Sequence, residues 1–314
     1  MDIDIQGLSV TYPSDSGLIR VLRHADLFLP HGKITALVGE SGSGKSILGA
    51  AILGLLDPSA EVSGKILFEG QDLLTLSEES LNALRGSRIG WIAQDPVNAM
   101  NPVMRVGRQV TELICYRNGT READEREAGI CQLSRYGLGD AARVYLKYPG
   151  ELSGGMAQRV LTAMGAMPGP DFLIADEPTK GLDAFVRREV ADMFGRLRDE
   201  KGTGFLLITH DLRLAARLSD YTGIMYAGEI LEYGRTEDVF RHPAHPYTER
   251  LLAAQPGASM TPIPGVPPDL SRLPDGCIFA GRCAWRDGEA CGAAQRMKIN
   301  GRGHAVRCWK GDLP

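Results

Sequence analysis

The octapeptide GESGSGKS at 39–46 sets glycines at 39, 42 and 44 ahead of Lys45 and Ser46. Glycine tolerates the left-handed turns that let successive backbone N–H groups point into one concavity, and such a nest binds an anion. Lys45 and Ser46, the last two positions of G-x-x-x-x-G-K-[ST], add a cation for the outer phosphates and a hydroxyl ligand for Mg2+. The flanks agree: Ile34, Ala36, Leu37 and Val38 read as a buried strand, and Ile47, Leu48, Ala50, Ile52 and Leu53 read as a helix. That helix would turn its positive N-terminal end toward the same anion. A chance glycine-rich turn does not account for eight positions in this context. Gly39, Ser41, Gly42, Ser43, Gly44, Lys45 and Ser46 are therefore expected to bind a nucleoside triphosphate.

Three more buried strands end in polar side chains. FLIADEPT at 172–179 ends in Asp176 and Glu177. Neighbours along a strand face opposite sides, so the two acids are given different tasks: Asp176 in the shell of Mg2+, Glu177 as general base toward an attacking water. IGWIA ends at Gln94, which by itself reads as a polar residue opening a loop. GFLLIT ends at His210, which by itself reads as structural. Three such tips together point to a shared site where ligands gather in open α/β sheets. LSGGM at 152–156 opens a helix, with Ser153 placed as N-cap and Gly154 and Gly155 keeping the helix mouth bare. It is a second anion site, one more than a single nucleotide requires.

The elements that must hold these residues follow from periodicity. Residues 1–38 read as strands, with Tyr12 near the end of the first as an amphipathic edge residue. A loop is expected over 57–64, a strand over 65–68, and a short helix over 77–85 capped by Ser77. Between 106 and 145 apolar residues recur at helical spacing around the charged run READERE, an inserted helical subdomain set at about 101–168. A helix is expected over 182–198, strands over 221–226 and 229–232, and a helix over 236–240. From His242 the texture changes to HPAHPYTERLL and then TPIPGVPP, a linker to an irregular, cysteine-bearing tail. The expected domains are 1–240 and 241–314.

The 314 residues carry a formal charge of -4, without the basic surplus of a nucleic-acid binder, so no nucleic-acid partner is expected. The start MDIDIQGLSV lacks a signal-peptide pattern, and no apolar run approaches the ~18 residues of a membrane span. Any membrane role is expected through partners. Of six cysteines, four crowd between Cys277 and Cys308. Without an export signal, that crowding favours metal or cluster ligation over disulfides.

Taken in order, these motifs resemble those of the ATPase subunit of an ABC transporter: GESGSGKS its Walker A, Gln94 its Q-loop glutamine, LSGGMAQR its signature, FLIADEPT its Walker B with catalytic glutamate, Asp183 its D-loop, His210 its switch histidine. Lys180 departs from the Ser or Thr that usually opens the D-loop. The resemblance implies an α/β P-loop core with an antiparallel N-terminal β part, an inserted helical subdomain and a small C-terminal extension. It implies ATP and Mg2+ as ligands, with Gln94 joining Ser46 and Asp176 around the metal and Tyr12 stacking on adenine. It implies a second cassette, expected as a paralogue in a heterodimer, whose ATP would meet Ser153, Gly154, Gly155 and Asp183 of this one. It also implies two transmembrane permease subunits, an extracytoplasmic substrate-binding protein and a place at the inner face of the cytoplasmic membrane. The tail resembles the extension of oligopeptide, dipeptide and nickel importer ATPases. Peptide is the leading substrate, nickel or a metal complex the second, and a soluble non-transport ATPase the distant alternative. Related extensions carry a [4Fe-4S] cluster, and Cys277, Cys283, Cys291 and Cys308 match its four ligands; zinc and free thiols are the other readings.

Overall fold

The computed structural model describes residues 1–15, 17–255, 260–299 and 304–312. The chain divides into two compact units, residues 1–76 with 207–314, and residues 77–206.

The first unit opens with an antiparallel sheet of Ile3–Ser14, Gly17–Leu29, Glu61–Phe68 and Gln71–Asp72, with Ile3–Ser14 between its two long partners. Alternation drives it: Ile3, Ile5, Leu8 and Val10 are buried while their neighbours face outward. The strand Glu61–Phe68 starts inside the expected loop. Residues 61–65 are exposed, and pairing rather than burial holds its first part, with Glu61, Val62 and Ser63 opposite Thr11, Val10 and Ser9.

In the same unit the strand Ile34–Val38, buried at all five positions, runs parallel to Tyr221–Tyr226, Thr35 opposite Tyr221 and Val38 opposite Ile224. Tyr221–Tyr226 pairs antiparallel with Glu229–Arg235. The cysteine-bearing tail extends this sheet, since Ala305–Val306 pairs with Glu229–Arg235 and in turn with Lys298–Ile299. HPAHPYTERLL, expected as a linker, contains the helix Pro246–Ala253. His245 caps it through an Nδ1 that accepts from the Tyr247 N–H at 2.9 Å, and Pro246 suits a first turn that has no use for its N–H. The fully buried Glu232 carboxylate accepts from the N–H groups of Ala244 and His245 at 2.9 and 3.0 Å.

The second unit pairs Ile89–Ile92 with Phe172–Asp176 in parallel, Ile92 opposite Ala175. The expected helical stretch forms Val106–Asn118, Glu122–Arg135 and Ala141–Tyr145 around buried Val110, Leu133, Tyr136, Leu138 and Val144. The run READERE lies at the start of the middle helix. Its acids in the first turn match the positive helix end. The strand Gly204–Thr209 begins in this unit and ends in the other.

Helix packing in the second unit depends on Gly107: a Cβ there would lie 2.1 Å from the buried ring of Tyr145. Gly107→Ala should cost about 1–3 kcal/mol by overpacking, read as a lower urea midpoint. An unchanged midpoint would show that the ring can move aside.

Candidate active site

The loop 39–46 joins the strand Ile34–Val38 to the helix Lys45–Ile52. Lys45, only 7% exposed, folds back over it: Nζ donates to the carbonyls of Gly39 at 3.0 Å and Glu40 at 2.9 Å, and to Ser43 Oγ at 3.4 Å. A desolvated ammonium requires such partners, and phosphate oxygens satisfy the same donors. Two glycines make the loop possible. Gly44, the N-cap, has φ +102°, and a Cβ on Gly39 would lie 2.0 Å from the Met225 carbonyl oxygen. The Gly228 N–H fastens the loop by donating to the Ser43 carbonyl at 2.9 Å. Ser41, Gly42 and Ser46 are exposed. Tyr12, half-buried, pairs with Ile19 in the N-terminal sheet, and His210 is exposed just beyond Gly204–Thr209. The first unit thus carries Tyr12, the loop and His210.

The second unit carries Gln94, Ser153, Gly154, Gly155, Asp176, Glu177 and Asp183. Gln94 is exposed past the end of Ile89–Ile92. Asp176 ends its strand at 5% exposure. Glu177 lies outside that strand, so strand alternation does not separate the two acids as expected. Its φ of +47° turns the chain into the left-handed region, at a cost of about 1–2 kcal/mol for a non-glycine residue. A strained residue beside a buried acid is typical of functional sites. Ser153 caps the helix Gly154–Ala166 by accepting from the Met156 N–H at 3.4 Å, and Ser153 and Gly154 are exposed at its mouth. Asp183 accepts from the N–H groups of Phe185 and Val186, both at 2.9 Å, and so starts the helix Ala184–Lys201.

The tail cysteines lie in the first unit. Cys277, Cys291 and Cys308 are buried and Cys283 half-buried, and the Cys277 N–H donates to the Cys291 carbonyl at 2.9 Å. Burial, then the charges of Cys291, Cys308 and Cys283, push the Cys277 thiol up to about 12. Among the described residues, however, no group of three or more His, Cys, Asp or Glu side chains is placed to hold a metal ion.

Sequence reasoning missed the contacts made by this tail. Rings of Tyr226, Tyr247 and Phe279 pack together with centroids 4.7 to 5.4 Å apart, and the Tyr247 hydroxyl accepts from the N–H of Glu40 at 3.2 Å. Arg282 reaches the Glu40 carboxylate across 242 positions of sequence. No local pattern marks such a pair.

A glycine-bearing loop between a strand and a helix, a helix mouth capped by Ser153, and a strand ending in Asp176 with Glu177 just beyond it are the features of a nucleotide-hydrolysing cassette. The chain belongs to the ABC transporter family, as an ATPase subunit in which hydrolysis is coupled to transport: the family model for ABC transporters matches residues 22–180, and that for the oligopeptide/dipeptide transporter C-terminal region matches 231–291. It is 39% identical to the dipeptide transport ATP-binding protein of Bacillus subtilis, over 99% of this chain and 95% of that one. It is also 39% identical to the oligopeptide transport ATP-binding protein of Salmonella typhimurium, over 98% and 93%. Among solved structures, a dimeric bacterial ABC transporter cassette superimposes with a TM-score of 0.67 at 24% identity, covering 74% of this chain and 98% of that one. The cassette cbiO1 of Clostridium perfringens, part of an ABC transporter complex, does so with a TM-score of 0.64 at 28% identity, covering 76% and 90%.

Gly39→Ala tests the loop directly, because its Cβ cannot coexist with the Met225 carbonyl. The displaced loop should weaken ATP binding by about tenfold or more in a direct binding titration, and wild-type affinity would refute the packing account.

Proposed function

We propose that this chain hydrolyses ATP to drive import of dipeptides or oligopeptides, acting at the inner face of the cytoplasmic membrane. The observation that carries the proposal is full-length likeness to two peptide-transport ATP-binding proteins, through the tail as well as the cassette. Two permease subunits would hold it there, as the family resemblance implies; among the described residues no helix is long and apolar enough to cross a membrane. A substrate-binding protein outside the membrane would choose the peptide. For the other cassette we favour a paralogue, as the family resemblance does.

In this reading Lys45 exchanges its loop carbonyls for β- and γ-phosphate oxygens, and Tyr12 stacks on adenine. Ser46, Asp176 and Gln94 supply the hard oxygen donors that suit Mg2+, and the buried Asp176 carboxylate fits a cation's neighbourhood. Bound there, Mg2+ neutralises charge on the phosphates. Glu177 takes a proton from the attacking water, and His210 contacts the γ-phosphate. The helix mouth at Ser153, Gly154 and Gly155, exposed at its first two residues, suits with Asp183 the triphosphate held by the partner cassette. Loss of the γ-phosphate removes the shared anion, and the halves separate.

The cofactor of the tail is proposed as an iron-sulfur cluster on Cys277, Cys283, Cys291 and Cys308. Support comes from the donor set: four thiols in one short segment with no disulfide among them, three of them buried. A cluster also spans wider-set sulfurs than a single ion does.

Glu177→Gln should lower turnover of the assembled transporter by about 100-fold or more while ATP still binds, and retained hydrolysis would refute the assignment of the base. Protein purified without oxygen should contain iron and acid-labile sulfide. Their absence, with four thiols titrating freely, would rule out the cluster.

A further inference from the structure

Glu40 is the second residue of the phosphate loop, and three of its groups are engaged from within the first unit. Its carbonyl accepts from Lys45 Nζ at 2.9 Å, and its N–H donates to the Tyr247 hydroxyl at 3.2 Å. Its carboxylate accepts from Arg282 Nη1 at both oxygens, 3.1 and 3.0 Å. Two of these partners, Tyr247 and Arg282, come from the C-terminal extension.

The guanidinium is itself fixed. Nε donates to the Pro264 carbonyl at 2.8 Å, Nη2 to that of Ile263 at 3.4 Å and Nη1 also to the Tyr226 hydroxyl at 3.2 Å, while the cation lies 5.6 Å from the centre of the Tyr226 ring. Its side chain is 8% exposed and that of Glu40 26%, so the pair is shielded from water and salt in a way that surface pairs are not. Without Arg282, a negative side chain would stand uncompensated on the loop that must receive a polyanion.

We infer that Arg282 is a positioning residue for ATP: it neutralises and orients Glu40, and through the Glu40 backbone it sets the carbonyl that holds Lys45. The extension thereby becomes part of the nucleotide site rather than an appendage to it. This rests on the reading of 39–46 as the ATP loop.

The test is MgATP binding to the full chain by calorimetry, with KM and kcat measured on the assembled transporter, for wild type, Arg282→Ala, Arg282→Lys, Glu40→Gln and the double variant Arg282→Ala with Glu40→Gln. Arg282→Ala should raise Kd and KM about tenfold with kcat within about twofold, because uniform binding is lost rather than transition-state contacts. Arg282→Lys, which keeps the charge, should recover part of the loss. Removing the carboxylate as well should recover most of it, giving a strongly non-additive cycle. Wild-type affinity in Arg282→Ala, or effects that simply add, would overturn the inference while leaving the ATP site standing. If Arg282→Ala does not fold, the cycle of Arg282→Lys with Glu40→Gln decides by the same criterion. A wild-type chain that binds no MgATP overturns the site reading and this inference together.

Discussion

The placing of one ammonium group, that of Lys45, out of water governs the loop 39–46. Lys45 is buried, and a buried cation without partners costs several kcal/mol, so the chain must bring oxygen atoms to it. Gly39 and Glu40 supply them from their backbone, which requires the loop to close tightly on itself. Tight closure in turn brings Gly39 against the Met225 carbonyl and sends Gly44 to positive φ, where only glycine is at ease. A ligand rich in phosphate oxygens offers the same donors a stronger set of acceptors.

The extension completes the unit that contains this loop. Arg307, beside Cys308, donates to the carbonyls of Ile230 at 3.1 Å and His24 at 2.8 Å and pairs with Asp26 at 3.3 Å. Arg23 pairs with Glu229 at 2.9 Å and donates to the Pro274 carbonyl. With the Tyr226, Tyr247 and Phe279 cluster and the paired strand Ala305–Val306, these contacts join the tail to the sheet behind the phosphate loop. A small segment with little core of its own gains its order by such docking. His245 belongs to the same arrangement: full burial pulls its imidazole down to about 3, so it acts as a neutral cap in the physiological range.

Short acidic residues in the connections that lead into helices have a structural job that sequence motifs conceal. Asp95, Asp183 and Asp211 each cap the helix that follows, accepting two backbone N–H bonds at 2.9 to 3.1 Å. A cap of this kind still leaves acceptor capacity on the carboxylate. Glu177 differs. Its backbone is left-handed just past the strand, and its carbonyl accepts from the Lys180 N–H at 3.0 Å.

Sequence alone determined whatever rests on neighbours along the chain. The strand and helix flanking the loop 39–46, the cap at Ser153, the strand Gly204–Thr209 and the family were legible because each is a short run of residue types at fixed spacing, governed by turn chemistry and burial periodicity. Tertiary structure alone decided the rest. The strand Glu61–Phe68 exists in its exposed part only because Ile3–Ser14 lies beside it, and Glu177 leaves the strand through a backbone turn that alternation does not foresee. The helix Pro246–Ala253 carried its cap and proline in plain sight, yet what gives it weight is the burial of Tyr247 beneath Glu40. The pairing of Arg282 with Glu40 is the clearest case. Charges 242 positions apart have no spacing to read, and only a folded chain brings them within a hydrogen bond.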